Sequence, residues 1–311
     1  MNSPRSKTDN SLAHADPEPG RVVAAFGRHV LVEDTQGERH RCMIAGRRLR
    51  PVCGDQVRWA RPADQSNSLL VAIEPRKNEL ARPSRRGQKE VLAANIDQLM
   101  IVVAAVPQPD PFIVDRYLAA AELMDASACV VLNKCELEGA EVAIDLKEFE
   151  QAGYPTFFVS AETGESLDRL ADSLRRRTSI FVGQSGVGKS SLLNALMPGL
   201  ELAVDQVSSA TGEGKHTTTA SVLHHLKGGG EIIDSPGVRD FSPPTMDTKT
   251  VAQGFREISQ RSADCRFSDC MHLKEPDCAI KQAVDAGKIT ARRYESYRRL
   301  VRLMEQLGER G

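Results

Sequence analysis

At 311 residues, the chain is long enough for about two domains and for burying about three quarters of its unfolded surface. Its 41% hydrophobic and 27% charged residues, with 23 glycines and 16 prolines, exclude collagen-like, coiled-coil and wholly disordered architectures. The net charge of −1 conceals a gradient: residues 21–90 carry fifteen Lys and Arg against eight Asp and Glu, whereas residues 91–311 carry 24 against 31. A basic front joined to an acidic remainder points to a polyanion at the front end.

Residues 1–20 contain no apolar stretch and read as a disordered lead-in without a secretory signal, so a cytoplasmic location is expected. Residues 21–76 read as a small all-β barrel, OB-like in size. A hairpin is expected around Gly27 and Arg28, and short apolar runs follow at 41–44, 55–59 and 69–73. Closing such a set of strands removes their exposed edges. Residues 77–95 read as a linker, because 77–89 has proline and charge but no apolar period.

From residue 96 the pattern becomes strand and helix in alternation. Apolar runs at 99–106, 129–132, 156–159 and 179–182 predict strands. Ile113, Tyr117, Ala121 and Met124 recur at helical spacing after the first run, as do Leu167, Leu170, Ala171 and Leu174 after the third. This predicts an α/β domain at 96–243 with a mostly parallel sheet covered on both faces. The runs 221–226 and 231–233 flank three glycines and predict a hairpin on that sheet. The longest apolar run, 99–106, is eight residues, well short of the ~18 that span a bilayer, so no membrane is expected as a partner. Residues 244–311 read as a small, polar, helical domain ending in a basic helix at 291–307.

Three motifs carry chemistry. Gly183, Gln184, Ser185, Gly186, Val187, Gly188, Lys189 and Ser190 form a complete phosphate-binding loop between a predicted strand and a predicted helix, and the motif continues into Ser191. Its glycines let successive backbone N–H groups converge on phosphate oxygens. Lys189 is placed to reach the β- and γ-phosphates, and the Ser190 hydroxyl to ligate Mg²⁺. Asp234, Ser235, Pro236 and Gly237 end an apolar strand, where a carboxylate can hold Mg²⁺ through water and a glycine N–H can face a γ-phosphate. Asn133, Lys134, Cys135 and Glu136 follow another strand. A carboxylate in the last position accepts from two donors on guanine that adenine lacks; Glu136 keeps that chemistry with one more methylene than Asp. Ser160 and Ala161 can complete the base pocket through a backbone N–H.

The order is unusual. The base-reading elements precede the phosphate elements, which a circular permutation produces without changing any spatial contact.

Seven cysteines are an odd count for a disulfide scaffold, and three of them cluster with a histidine: Cys265, Cys270, His272 and Cys278. Three thiolates and one imidazole make a closed, tetrahedral zinc set with no open position for a catalytic water, so the predicted site is structural.

The succession NKCE, GQSGVGKSS, GKHTTT, DSPGV and the cysteine cluster resembles the RsgA family of ribosome small-subunit-dependent, circularly permuted GTPases, from about residue 21 to the end. The resemblance implies a multidomain chain: an OB-like barrel, a permuted P-loop GTPase domain and a zinc-binding helical domain. It also implies an enzyme that hydrolyses GTP to GDP and phosphate when stimulated by the small ribosomal subunit, contacting rRNA through the basic barrel as a late maturation checkpoint; nothing in the residues suggests an obligate oligomer, so a monomer is expected. In the segment 214–219, Thr218 or Thr219 is then the Mg²⁺-ligating threonine; the residues do not choose between them. Val238 stands where many GTPases carry a water-orienting glutamine. The resemblance suggests His216 for that task, with a purely loop-shaping histidine as the other reading. Val238 and the basic barrel also suit a different class of protein, an RNA-binding module that holds guanine nucleotide without significant hydrolysis.

Overall fold

In the computed structural model, residues 16–46, 48–62, 67–83, 89–137, 144–198, 221–235 and 247–308 are described. Short alternating segments at the front of the chain pair as β1 (Glu18–Phe26), β2 (His29–Asp34), β3 (Arg39–Ile44), β4 (Gln56–Ala60) and β5 (Ser68–Ile73). Gly27, at φ 54°, starts the two-residue turn of the β1–β2 hairpin. The order β1-β2-β3-β5-β4 closes when β4 returns to pair with β1. Val22, Val30, Val32, Cys42, Val57, Trp59 and Leu70 fill the interior. The first strand begins at Glu18, inside the segment read as lead-in, because Glu18 to Arg21 pair with Trp59 to Gln56. Backbone pairing recruits Glu18, Pro19 and Gly20 although none of them has a strand-forming apolar side chain.

A second departure concerns the expected linker. It contains β6 (Glu79–Pro83) and β7 (Lys89–Ala94), an antiparallel pair with a bulge at Leu80 and Ala81. Leu80, Ala81, Ala93 and Ala94 are buried, and Ala93 bridges to Cys53 of the barrel. The Asn78 side chain accepts from the Ile96 N–H at 2.8 Å and donates to the Ile96 and Met124 carbonyls. Charged residues dilute the apolar period here, so only the contacts with neighbouring layers reveal the sheet.

The α/β region is as expected in type. Its strands are β8 (Gln98–Ala104), β9 (Ser127–Asn133), β10 (Thr156–Phe158), β11 (Thr178–Val182), β12 (Val222–His225) and β13 (Glu231–Asp234). The order β10-β9-β8-β11-β13 is parallel, and β12 pairs antiparallel with β13. Strand β8 is buried along its whole length. Ile101 and Val103 pack on the face covered by α1 (Pro111–Leu123) and α2 (Leu146–Gln151). Met100 and Val102 pack on the face covered by α3 (Leu167–Ser173) and α4 (Lys189–Leu196). Asp110 caps α1 by accepting from the Phe112 N–H, with Pro111 in the first turn. Helix α2, only six residues long, is too short for a visible period.

Barrel and α/β region share one sheet. Strand β12 pairs with β1 at Val222 and Ala24, giving eleven continuous strands.

The C-terminal region packs a 3-10 turn at Thr248–Gly254, α5 (Arg256–Ser259), α6 (Ala279–Asp285) and α7 (Ala291–Gly308) around Phe255, Ile258, Tyr297, Leu300 and Val301. It docks on α1, whose Ala119 joins that cluster. Arg293, 2% exposed, pairs with Asp115 of α1 at 2.6 Å and Glu257 of α5 at 2.7 Å, and Arg292 also reaches Asp115, at 2.8 Å. The front of the expected basic helix is therefore internal, while Arg298, Arg299 and Arg302 stay at the surface around Glu295. Among the described residues, no helix is long and apolar enough to cross a membrane.

Candidate nucleotide site and metal cluster

Strand β11 ends at Val182 and α4 begins at Lys189, so the glycine-rich loop runs from the end of a central strand to a helix N-terminus. Gly183, Gly186 and Gly188 all have positive φ, which lets the chain turn back over itself. Gly188, at φ 92°, is required twice over: a Cβ there would lie 2.3 Å from Nδ2 of Asn133. The Lys189 ammonium lies within the loop and donates to the Gly183 and Gln184 carbonyls, both at 2.6 Å. Ser190 and Ser191 are exposed in the first turn of α4, as are Ser185 and Gly186 in the loop. A loop of this form gathers backbone donors at the positive end of a helix, the geometry that binds phosphate.

Asn133 closes β9 and is buried beneath the loop. Its Nδ2 donates to the Val187 carbonyl at 2.9 Å, and its Oδ1 accepts from the Ala161 N–H at 3.1 Å. Lys134 donates to the Gly186 carbonyl at 2.7 Å and to the Val106 carbonyl at 2.9 Å. Two residues of NKCE thus hold the glycine-rich loop from below, and Asn133 also ties in the loop at Ser160 and Ala161. The two motifs, about fifty residues apart in sequence, are joined directly by these hydrogen bonds.

Ser160 is fully buried and accepts from the Thr163 N–H at 3.0 Å, which folds its loop. Cys135 donates its N–H to the Val159 carbonyl, and burial pushes its thiol up, keeping it neutral. Glu136 carries a buried carboxylate oxygen, Oε2, with no hydrogen-bond partner among the described residues.

Asp234 lies at the end of β13, paired in register with Val222, and the Ser221 hydroxyl donates to Ser235 at 2.7 Å just beyond. Thr218, Thr219, His216, Gly237 and Val238 lie outside the described residues. Val106 shows no sequence signal for its role, because it contributes only a backbone carbonyl.

In the C-terminal region, ligand atoms of Cys265, Cys270, His272 and Cys278 lie within 4.8 Å of one another. His272 turns Nδ1 towards the sulfurs, 3.4 Å from Cys265 and 3.5 Å from Cys278. Its Nε2 faces the Ser262 hydroxyl at 3.1 Å, and that hydroxyl donates to the Ile258 carbonyl at 2.9 Å. The serine oxygen is thereby left to accept from Nε2–H, which reserves the Nδ1 lone pair for a metal. Glu275 braces the turn by accepting from the backbone of Met271, Leu273 and Lys274 at 2.8–3.0 Å. Tyr294 and Tyr297 of α7 donate to the His272 and Met271 carbonyls, each at 2.6 Å. Ser262, Glu275 and the tyrosines escape a reading by motif because they support ligands without being ligands. The cluster has the donors and compactness to hold a metal ion.

The family model for the RsgA GTPase matches residues 73–243, the span that holds NKCE, the glycine-rich loop and the Asp234 strand. The chain belongs to the RsgA GTPase family. It is accordingly a GTPase, and its NKCE segment precedes its glycine-rich loop. A relative from Ectopseudomonas mendocina, named small ribosomal subunit biogenesis GTPase RsgA, is 44% identical over 91% of this chain and 85% of its own length. One of the same name from Chromohalobacter salexigens is 44% identical over 95% of this chain and 89% of its own length. Among solved structures, YjeQ from Thermotoga maritima is similar with a TM-score of 0.74 and 31% identity, over 93% of this chain and 99% of its own. YloQ, described as a circularly permuted GTPase, has a TM-score of 0.71 and 27% identity, over 99% of both chains. The permuted order seen in the motifs is that of a circularly permuted GTPase, as YloQ is described.

Proposed function

We propose that this chain hydrolyses GTP to GDP and phosphate when docked on the small ribosomal subunit, and acts in the late maturation of that subunit. The observation that best supports the reading is the pair of hydrogen bonds from Asn133 and Lys134 to the Val187 and Gly186 carbonyls, which join the NKCE segment to the glycine-rich loop. The RsgA relatives named for small-subunit biogenesis support the partner.

In this reading the γ-phosphate displaces the two carbonyls as the partner of Lys189, whose charge then stabilises the transferring group. Backbone N–H groups from Gly183 through Ser191, side chains of Gln184 and Ser185 included in the loop, cradle the phosphates. Ser190 and Asp234, a hydroxyl and a carboxylate oxygen, are donors of the hard type that would hold Mg²⁺, which neutralises phosphate charge when bound. Thr218 or Thr219 and the Gly237 N–H sense the γ-phosphate, and His216 orients the attacking water. Glu136 reads guanine, with Ala161, Ser160 and Cys135 lining the base.

The cysteine cluster suits zinc, and its four protein donors give that metal a structural role. The barrel meets rRNA through phosphate contacts more than stacking, since Trp59 is 3% exposed and stacks on His40 inside the protein. Chain and subunit meet as a monomer in the cytoplasm.

Two measurements test the reading. Hydrolysis of GTP and ATP is followed with and without purified small subunits. GTP turnover is expected to be slow alone and to rise at least about tenfold on subunits, with ATP turnover negligible throughout. Unstimulated single-turnover hydrolysis would leave the chain as an RNA-binding module. In the second, Glu136→Gln replaces one acceptor oxygen by a donor facing guanine. GDP affinity is expected to fall by about 10- to 100-fold, with inosine diphosphate less affected because it lacks the exocyclic amine. Equal losses for both nucleotides would show that Glu136 does not contact that amine.

A further inference from the structure

The end of the parallel sheet opposite the glycine-rich loop carries a cavity of about 310 Å³ lined by Arg176, Arg177, His225, Leu226, Gly229 and Glu231, among others. Two turns form it: residues 174–177 between α3 and β11, and residues 226–230 between β12 and β13. Their backbones are locked together. Glu231 donates its N–H to the Arg177 carbonyl at 2.9 Å, and a Cβ on Gly230 would lie 2.1 Å from the Leu174 carbonyl oxygen, so only glycine permits the approach.

This rigid frame carries charge without full compensation. Arg175 pairs with Asp172 at 3.0 Å, and Arg177 is held by the Gln98 side chain at 2.7 Å. Arg176 and Lys227 are exposed, and among the described residues neither is paired to a carboxylate. Arg176 moreover sits at φ 59°, a left-handed conformation that costs a non-glycine residue roughly 1–2 kcal/mol. The carboxylates nearby are already engaged: Glu231 with Arg21, Thr178 and His225, and Glu33 of the barrel with His225 at 2.6 Å and Arg39 at 3.1 Å. The bond to Glu33 raises the His225 pKa.

The chain Arg39, Glu33, His225 joins this edge directly to the basic barrel. We propose that it is a second RNA-binding surface, which holds phosphodiester groups between the Arg176 turn and the Lys227 turn as the RNA leaves the barrel. The proposal rests on the reading that this chain docks on ribosomal RNA. It adds a contact remote from the nucleotide, built from cations on fixed backbone and not from a flexible tail. RNA is favoured over a small phosphate because Arg176 and Lys227 stand exposed on two separate turns, at the end of the sheet that the Arg39–Glu33–His225 chain ties to the barrel.

The test uses the full chain and the variants Arg176→Ala, Lys227→Ala and their combination. Binding to purified small subunits and to an RNA duplex of arbitrary sequence is measured across a range of salt. Each substitution is expected to make the slope of log affinity against log salt shallower by about 1, on both RNAs, with basal GTP hydrolysis and thermal stability unchanged. Wild-type affinity and slope in the double variant would overturn the surface. Loss of inorganic phosphate binding in the double variant, with RNA binding intact, would overturn it in favour of a small-anion site. If the wild-type chain ignores subunits but the slope shift persists on the duplex, the small-subunit reading fails and the surface stands. Absence of wild-type binding to either RNA overturns both.

Discussion

Replacing Cys270 by Ser is expected to release one zinc per chain and to melt the segment from Cys265 to Cys278. The reason lies in what that segment buries. Between these two cysteines only His272 is buried, and at its end Cys278; both belong to the ligand set. Met271 and Leu273 pack only in part against the C-terminal core, so the proposed zinc is expected to supply most of the segment's stabilisation; apparent binding energies for such sites are about 10–16 kcal/mol. The braces from Glu275, Tyr294 and Tyr297 reach the backbone of Met271 to Lys274, so losing the metal releases them as well. Zinc content, and hydrogen exchange across 265–278, measure the effect. Guanine nucleotide binding is expected to survive, because the cleft is built from β9, β11 and α4. Protection unchanged after complete loss of zinc would show that the segment folds without it.

The second large effect is expected at Arg293. Arg293→Met removes the cation from between Asp115, 1% exposed, and Glu257, 11% exposed, and leaves Glu257 without a cationic partner among the described residues. Breaking a buried pair from one side costs about 3–5 kcal/mol, because the remaining charge stays desolvated. Asp115 keeps Arg292, so the orphan is Glu257. Adding Glu257→Met is therefore expected to recover part of the loss. Urea unfolding of the two variants decides it: a double variant no more stable than the single one would locate the cost in lost packing against Phe255 and Tyr154, over whose rings the guanidinium lies at 4.9 and 5.9 Å. Because this pair joins α7 to α1, the single variant is also expected to loosen the C-terminal region from the sheet.

Chemistry that depends on short spacing was legible in the residues alone. GQSGVGKS between strand and helix, NKCE after a strand, and the cysteine–histidine spacing each specify local backbone and donor types, so their order already revealed the permutation. Strand and helix types followed from apolar period, as in β8 and α1. What lay beyond reach depends on partners distant in the chain. The β6–β7 pair owes its burial to the barrel and α1, and the β12–β1 pairing that fuses two domains into one sheet involves a single register position. Arg292 and Arg293 read as surface charge until Asp115 and Glu257 arrive from other elements. The same holds for the hydrogen bonds from Asn133 and Lys134 into the glycine-rich loop. Sequence determined which groups the protein owns; only the tertiary structure decided which of them are desolvated and face one another, because burial and pairing are properties of neighbours in space.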